Sequence, residues 1–232
     1  SLLWRPINTN GNISAFVLDL RVFPIPIPTA LEKSLSTSRF SNFRFHREPT
    51  WRQMLSAADL SVPKQWRDWL ADTGSLTSRL IDVSAGDFRV QIISQGLQLP
   101  RLSEITALSL APRRLALIRE VVLYGKGQPW VYARSVIPLA TLTGRLKKLC
   151  HLDNRPLGAL LFNDVTMHRD PVEIACISSD NAQFPQVLRE ENTPVWGRRS
   201  VFRIDQKPLL VSEIFLSAFK SYNQTLDIGF TR

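Results

Sequence analysis

Between residues 51 and 80 apolar positions recur every third or fourth residue, and beyond residue 88 they recur every second. The first rhythm predicts helices: Trp51, Met54, Leu55 and Ala58 fit one helical face, and Trp66, Trp69 and Leu70 follow Val62-Pro63, a proline placed where helices begin. Residues 75–80, after Gly74, read as a short third helix or turn. The second rhythm predicts strands over 88–94, 115–124, 130–137, 172–177, 199–205 and 209–216. Turn formers in Gly125-Lys126-Gly127-Gln128-Pro129 and Asp205-Gln206-Lys207-Pro208 join two pairs of these strands as hairpins, so neighbours run antiparallel. Leu142, Leu146 and Leu149 mark a helix over 139–150, inserted between strands and followed by Arg155-Pro156-Leu157-Gly158. The expected fold is α+β: helices first, then a single mostly antiparallel sheet of about six strands.

Residues 1–50 follow neither rhythm. They hold Phe23-Pro24-Ile25-Pro26-Ile27-Pro28 and a Ser- and Arg-rich stretch poor in acids, which resists helix and strand alike and reads as an N-terminal extension, with a transit peptide as the alternative. The folded domain is expected over 51–220 and a short tail over 221–232. With 44% hydrophobic residues the chain can bury a real core, and no apolar run is long enough for a transmembrane helix. Cys150 and Cys176 lie far apart without metal or disulfide-scaffold spacing, which suits a reducing compartment. A net charge of +9 suits nucleic acid, an anionic membrane surface or an anionic small substrate, and does not choose among them.

One carboxylate stands out. In a strand over 209–216, Glu213 shares its face with Leu209, Val211 and Phe215, in a layer where an unpaired charge costs several kcal/mol. Arg119 repeats the anomaly among Leu115, Leu117, Val121 and Leu123, and Arg134 does so beside Trp130, Tyr132 and Val136. One reading is a buried Arg119–Glu213 ion pair. The other is a cavity onto which both guanidiniums and the carboxylate converge, the arginines gripping an anion through their planar forks and the carboxyl exchanging a proton from apolar surroundings.

Other chemistries are not indicated. His46, His151 and His168 lack metal-ligand spacing, Cys150-His151 is an incidental neighbour pair, and no phosphate-binding or nucleophile-elbow motif occurs. Trp196-Gly197-Arg198-Arg199-Ser200 with Arg203 could contact nucleic acid, but alternation places Arg199 and Arg203 opposite Phe202 and Ile204, which reads as a solvated strand face.

Taken in series, several motifs resemble the chorismate pyruvate-lyase family. They are Ile118-Arg119-Glu120-Val121, Ala133-Arg134-Ser135-Val136-Ile137-Pro138, Arg155-Pro156-Leu157-Gly158, Arg169-Asp170 with Glu173-Ile174, Trp196-Gly197-Arg198-Arg199-Ser200 and Ser212-Glu213-Ile214-Phe215-Leu216. The resemblance covers roughly residues 66–217. It implies an antiparallel sheet with helices packed on one side, a buried site closed by helical flaps, and conversion of chorismate to 4-hydroxybenzoate and pyruvate for bacterial ubiquinone synthesis. It implies no cofactor, no metal, a cytoplasmic monomer and no nucleic-acid partner. By motif, Arg119 would hold the ring carboxylate, Glu213 would lie near the ring oxygen, Leu76 and Leu157 would contribute flap contacts, and Arg134 would be a second cation. Residues 178–195 form a longer linker than the family pattern, expected as a surface loop. The competing reading is a ligand-sensing domain of the same fold, the effector type of some transcription regulators.

Overall fold

A computed structural model describes residues 48–56, 59–178, 181, 184–189 and 193–219. Most of the expected extension and the tail at 221–232 lie outside the described residues. The chain runs through β1 (Arg52–Gln53), α1 (Lys64–Ala71), α2 (Leu76–Val83), β2 (Phe88–Gln98), α3 (Leu102–Ala107), β3 (Ala116–Gly125) and β4 (Gln128–Pro138). A 3-10 helix (Gly144–His151) leads to α4 (Leu157–Phe162), β5 (His168–Arg169), β6 (Glu173–Ser178), β7 (Pro194–Ile204) and β8 (Lys207–Phe215).

All pairings are antiparallel, in one sheet of order β1-β6-β7-β8-β4-β3-β2, with β5 also paired to β7. The α+β class and the antiparallel sheet are as expected, with eight strands among the described residues rather than about six. The additional strands are the two-residue β1 and β5. Of the helix expected from Trp51, residues 52–53 form a strand instead, because Arg52 and Gln53 pair with Ile174 and Glu173 and the Met54 amide donates to the Val172 carbonyl at 2.9 Å. A sheet edge offers more hydrogen bonds than one isolated turn of helix.

Both sheet faces are covered. On one, α1 and α2 bring Trp66, Trp69, Leu76 and Leu80 against Val121, Ala133 and Phe215. The 3-10 helix and α4 bring Leu146, Leu149, Leu157 and Leu161 against Leu117, Ile137, Phe202 and Leu209 on the same face. The other face carries Leu108, just after α3, against Ala116, Ile118, Val136 and Leu210. It also takes Phe184, from the linker expected to be a surface loop, whose ring lies 5.7 Å from that of Tyr132.

The β3–β4 hairpin decides which residues share the site. Lys126 and Gly127 both have positive φ (51° and 71°), the geometry of a two-residue turn that matches strand twist. An unbroken ladder from that turn would set Arg119 opposite Arg134. Instead the register shifts by one: Tyr124 pairs with Pro129 but Leu123 pairs with Val131, leaving Trp130 as the extra residue of a bulge. Trp130 turns into the core of the α1–α2 face, where Gly125 makes room for it, since a Cβ at that glycine would lie 2.2 Å from the indole. Arg119 consequently faces Ser135, and Arg134 faces Glu120.

Candidate active site

Beneath α2 and α4 the sheet leaves a small cavity lined by Arg119, Val121, Ala133, Ser135, Val211 and Glu213 from the strands, and by Thr77, Pro156, Leu157 and Gly158 from the helices. Its volume is ≈ 30 Å³, room for a water or two. Cavities that accept a benzene ring are on the order of 150 Å³. At this volume a six-membered ring fits only if the helices above the cavity move. They meet across a narrow contact: a Cβ at Gly158 would lie 3.1 Å from the Thr77 hydroxyl, so the two helices touch where α4 has no side chain.

Arg119 lines the cavity from β3. It is only 2% exposed, and its Nη2 donates to the carbonyls of Asp153 (2.8 Å) and Arg155 (3.1 Å) in the loop before α4. Its Nε is buried without a hydrogen-bond partner. Burial pushes the guanidinium pKa down, with only partial compensation from the charge of Asp153. A desolvated cation held by carbonyls, with a donor left over, has the chemistry to receive an anion.

Glu213 lines the same cavity from β8, two strands away from Arg119, and its partner is Arg198. The Arg198 Nε donates to Glu213 Oε2 at 2.7 Å, while its Nη1 donates to the carbonyls of Trp69 and Asp72 at the end of α1, each at 2.7 Å. At 1% exposure Arg198 is one of the most deeply buried charges described. A guanidinium on the last carbonyls of a helix also complements the helix dipole. The buried ion pair weighed for Arg119 and Glu213 therefore exists, but Arg198 makes it, and the carboxyl expected in purely apolar surroundings is anchored by a cation. The sequence signal was present: Arg198 has the parity of Phe202 and Ile204, the face read as apolar.

Arg134 does not join this cavity. The bulge at Trp130 puts it on the opposite face, where Nε and Nη2 donate to Glu104 (2.7 and 3.2 Å) and Nη1 to Glu120 (2.8 Å). Two carboxylates neutralise it and, together with their hydrogen bonds, push its pKa up despite burial. The convergence of Arg134 with Arg119 and Glu213 is thus corrected. The solvated strand face expected around Arg199 is corrected as well: Arg199 is buried, donating to Glu173 at 2.6 Å and to Ser103 at 3.2 Å. Leu157 lines the cavity from the start of α4, whereas Leu76 is packed in the core and its neighbour Thr77 does the lining. Among the described residues no three His, Cys, Asp or Glu side chains gather into a set that could hold a metal ion. No helix of the described residues is long and apolar enough to cross a membrane.

The cavity is walled by apolar side chains and carries a guanidinium bonded to no carboxylate together with a carboxylate anchored by Arg198, an arrangement with the chemistry to meet a small anion that also bears a polar group. Residues 46–226 match the family model described as chorismate lyase, and the chain belongs to that family. A probable chorismate pyruvate-lyase of Pseudoalteromonas atlantica is 37% identical over 171 residues, covering 72% of this chain and 87% of the relative. One of Methylococcus capsulatus is 43% identical over 155 residues, covering 66% and 95%. Among solved structures, the effector domain of PhnF from Mycobacterium smegmatis aligns with a TM-score of 0.46 at 14% identity, covering 63% of this chain and 91% of that one.

Proposed function

We propose that this protein eliminates pyruvate from chorismate to give 4-hydroxybenzoate, without metal or cofactor, as the entry step of ubiquinone synthesis in the cytoplasm, and that it works as a monomer. The observation that carries the reading is a pair of side chains: Arg119, buried with an unpartnered Nε, and Glu213, fixed by Arg198, which line one small cavity from strands that lie two apart in the sheet. Chorismate is a dianion with a ring carboxylate at C1, an enolpyruvyl ether at C3 and a hydroxyl at C4. The ring carboxylate docks on Arg119, and the C4 hydroxyl, para to it, meets Glu213.

In the reaction the C3–O bond breaks, the hydrogen on C4 leaves as a proton, and the released enol takes up a proton to become pyruvate. The ring becomes a phenol, and aromatisation supplies the driving force. The protein has only to hold one conformer and meet charge with preorganised dipoles and cations, the two contributions that fixed donors in a dry site make well. Glu213, with one oxygen bound by Arg198, accepts from the C4 hydroxyl and sets the angle of the C4–H bond. Closure of α2 and α4 over the ring excludes water, and their reopening releases product.

Two variants test the assignment. Arg119→Ala is expected to weaken binding of both chorismate and 4-hydroxybenzoate by about 10- to 100-fold, the size of a lost charge-assisted pair. Glu213→Gln is expected to lower kcat by roughly 100-fold or more while 4-hydroxybenzoate binding changes far less. Steady-state kinetics and calorimetric titration read both. Near-normal turnover in both variants would sink the site assignment.

A further inference from the structure

One half-buried cation on the cavity face, Arg169, has no role in the account so far. Arg169, on β5, lies over β7: its Nε donates to Ser200 Oγ at 3.0 Å, its Nη1 to the Asp72 carbonyl at 3.3 Å, and its guanidinium sits 5.1 Å from the centre of the Phe202 ring. Ser200 pairs with Val211, which lines the cavity beside Glu213. Among the described residues no carboxylate bonds to Arg169. Burial first, and then the neighbouring Arg198, push its pKa down to about 10, with the charges of Glu213 and Asp72 pulling the other way.

The cations on this face are not all paired. Arg79 bonds Asp72 at 3.2 Å and Arg198 bonds Glu213 at 2.7 Å, whereas Arg119 and Arg169 bond only carbonyls and a hydroxyl. Two guanidiniums with no carboxylate bonded to them are what a dianion needs. Their placement also fits the ligand. With the C1 carboxylate on Arg119 and the C4 oxygen at Glu213, the C3 ether projects from the Glu213 end of the ring, and its carboxylate must find a cation there. Arg134 is on the other face, and Arg198 is committed to Glu213 and two carbonyls.

We infer that Arg169 forms a second anionic subsite, at the β5–β7 side of Glu213, which receives the enolpyruvyl carboxylate of the substrate once α2 and α4 part. The inference rests on the proposed chorismate reading. It makes Arg169 a sorting group as well, because substrate carries the second carboxylate and 4-hydroxybenzoate does not. The aromatic product then leaves a site that still grips pyruvate or an incoming substrate.

The test separates substrate from product. Arg169→Ala is expected to raise KM for chorismate about 10- to 100-fold while the Kd of 4-hydroxybenzoate moves less than about twofold, and Arg169→Lys is expected to recover part of the loss. Equal weakening of both ligands, or of neither, would overturn the subsite. The wild-type protein gives an independent reading with two stable probes. 3-(Carboxymethoxy)-4-hydroxybenzoate should bind at least about tenfold tighter than 3-methoxy-4-hydroxybenzoate, which lacks the second charge, and equal affinities would again overturn the proposal. Normal turnover by wild type with an unchanged KM in Arg169→Ala would remove the subsite alone. Absence of turnover in wild type would remove the chorismate reading itself.

Discussion

Arg119 and Arg134 are both buried guanidiniums on adjacent strands, and their partners separate them. Arg134 is met by two carboxylates, while Arg119 is met by carbonyls and keeps one donor, its Nε, without a partner. Around Arg134, Glu120 also accepts from Tyr132 and from Ser94, the latter at 2.7 Å. Burial alone would push the Glu120 carboxyl up, but the bonds from Tyr132, Ser94 and Arg134 outweigh it and hold it below its ordinary value of 4.5. The folded state therefore binds this proton less tightly than the unfolded chain does. The contribution is complete above the ordinary value and disappears as pH falls through the lower, folded value. Glu120→Gln is expected to lose stability at pH 7, by about 1–3 kcal/mol for a broken charge-assisted pair, and to show a flatter fall below pH ~4.5 than wild type. Urea unfolding at pH 7 and in the acid range measures this, and parallel acid profiles would contradict it. From sequence alone both arginines were visible as anomalies on apolar faces, and of the three charges expected to converge, Arg119 and Glu213 line one cavity. Partners were not visible, because a carboxylate such as Glu104 reaches Arg134 across 30 positions of chain.

At the scale of elements, one residue of register separates a cation on the cavity face from one on the opposite face. Trp130 is read from sequence as an ordinary alternating strand residue, and only its exclusion from the ladder moves Arg134 to the other face. Both faces of β3 and β4 are apolar and covered, so alternation could not say which face a buried charge occupied. The hairpins were legible because turn formers and flanking alternation agree, and α1 because Pro63 and the Trp66, Trp69, Leu70 spacing agree. The short β1, β5 and α3 were not, since two to six residues carry too little pattern and are formed by tertiary pairing. The closing helices turn on Gly158. Gly158→Val sets a branched side chain against Thr77, already 3.1 Å from a bare Cβ, and is expected to hold α2 and α4 apart. Product affinity should fall about tenfold by stopped-flow or titration, with an unfolding cost of no more than about 1–3 kcal/mol for local overpacking. Unchanged 4-hydroxybenzoate binding would show that this contact does not govern closure.

For the molecule as a whole, sheet, helices and charge serve one arrangement. The sheet face under α1, α2 and α4 carries more buried positive than negative charge, and Val, Ala and Leu side chains wall a cavity of ≈ 30 Å³ there. Burying guanidiniums costs stability, which the tryptophan- and phenylalanine-rich core around Trp66, Phe215 and Phe219 offsets. The net charge of +9 favours the approach of an anionic substrate from a distance. A domain that merely sensed such an anion would need the same cations but no ordered C4–H bond. Turnover is therefore the decisive quantity. Purified protein in buffer treated with a metal chelator should convert chorismate to equal amounts of pyruvate and 4-hydroxybenzoate, followed by a coupled pyruvate assay and by ultraviolet absorbance. Binding of 4-hydroxybenzoate with no pyruvate released from chorismate would contradict the account and leave a ligand sensor in its place.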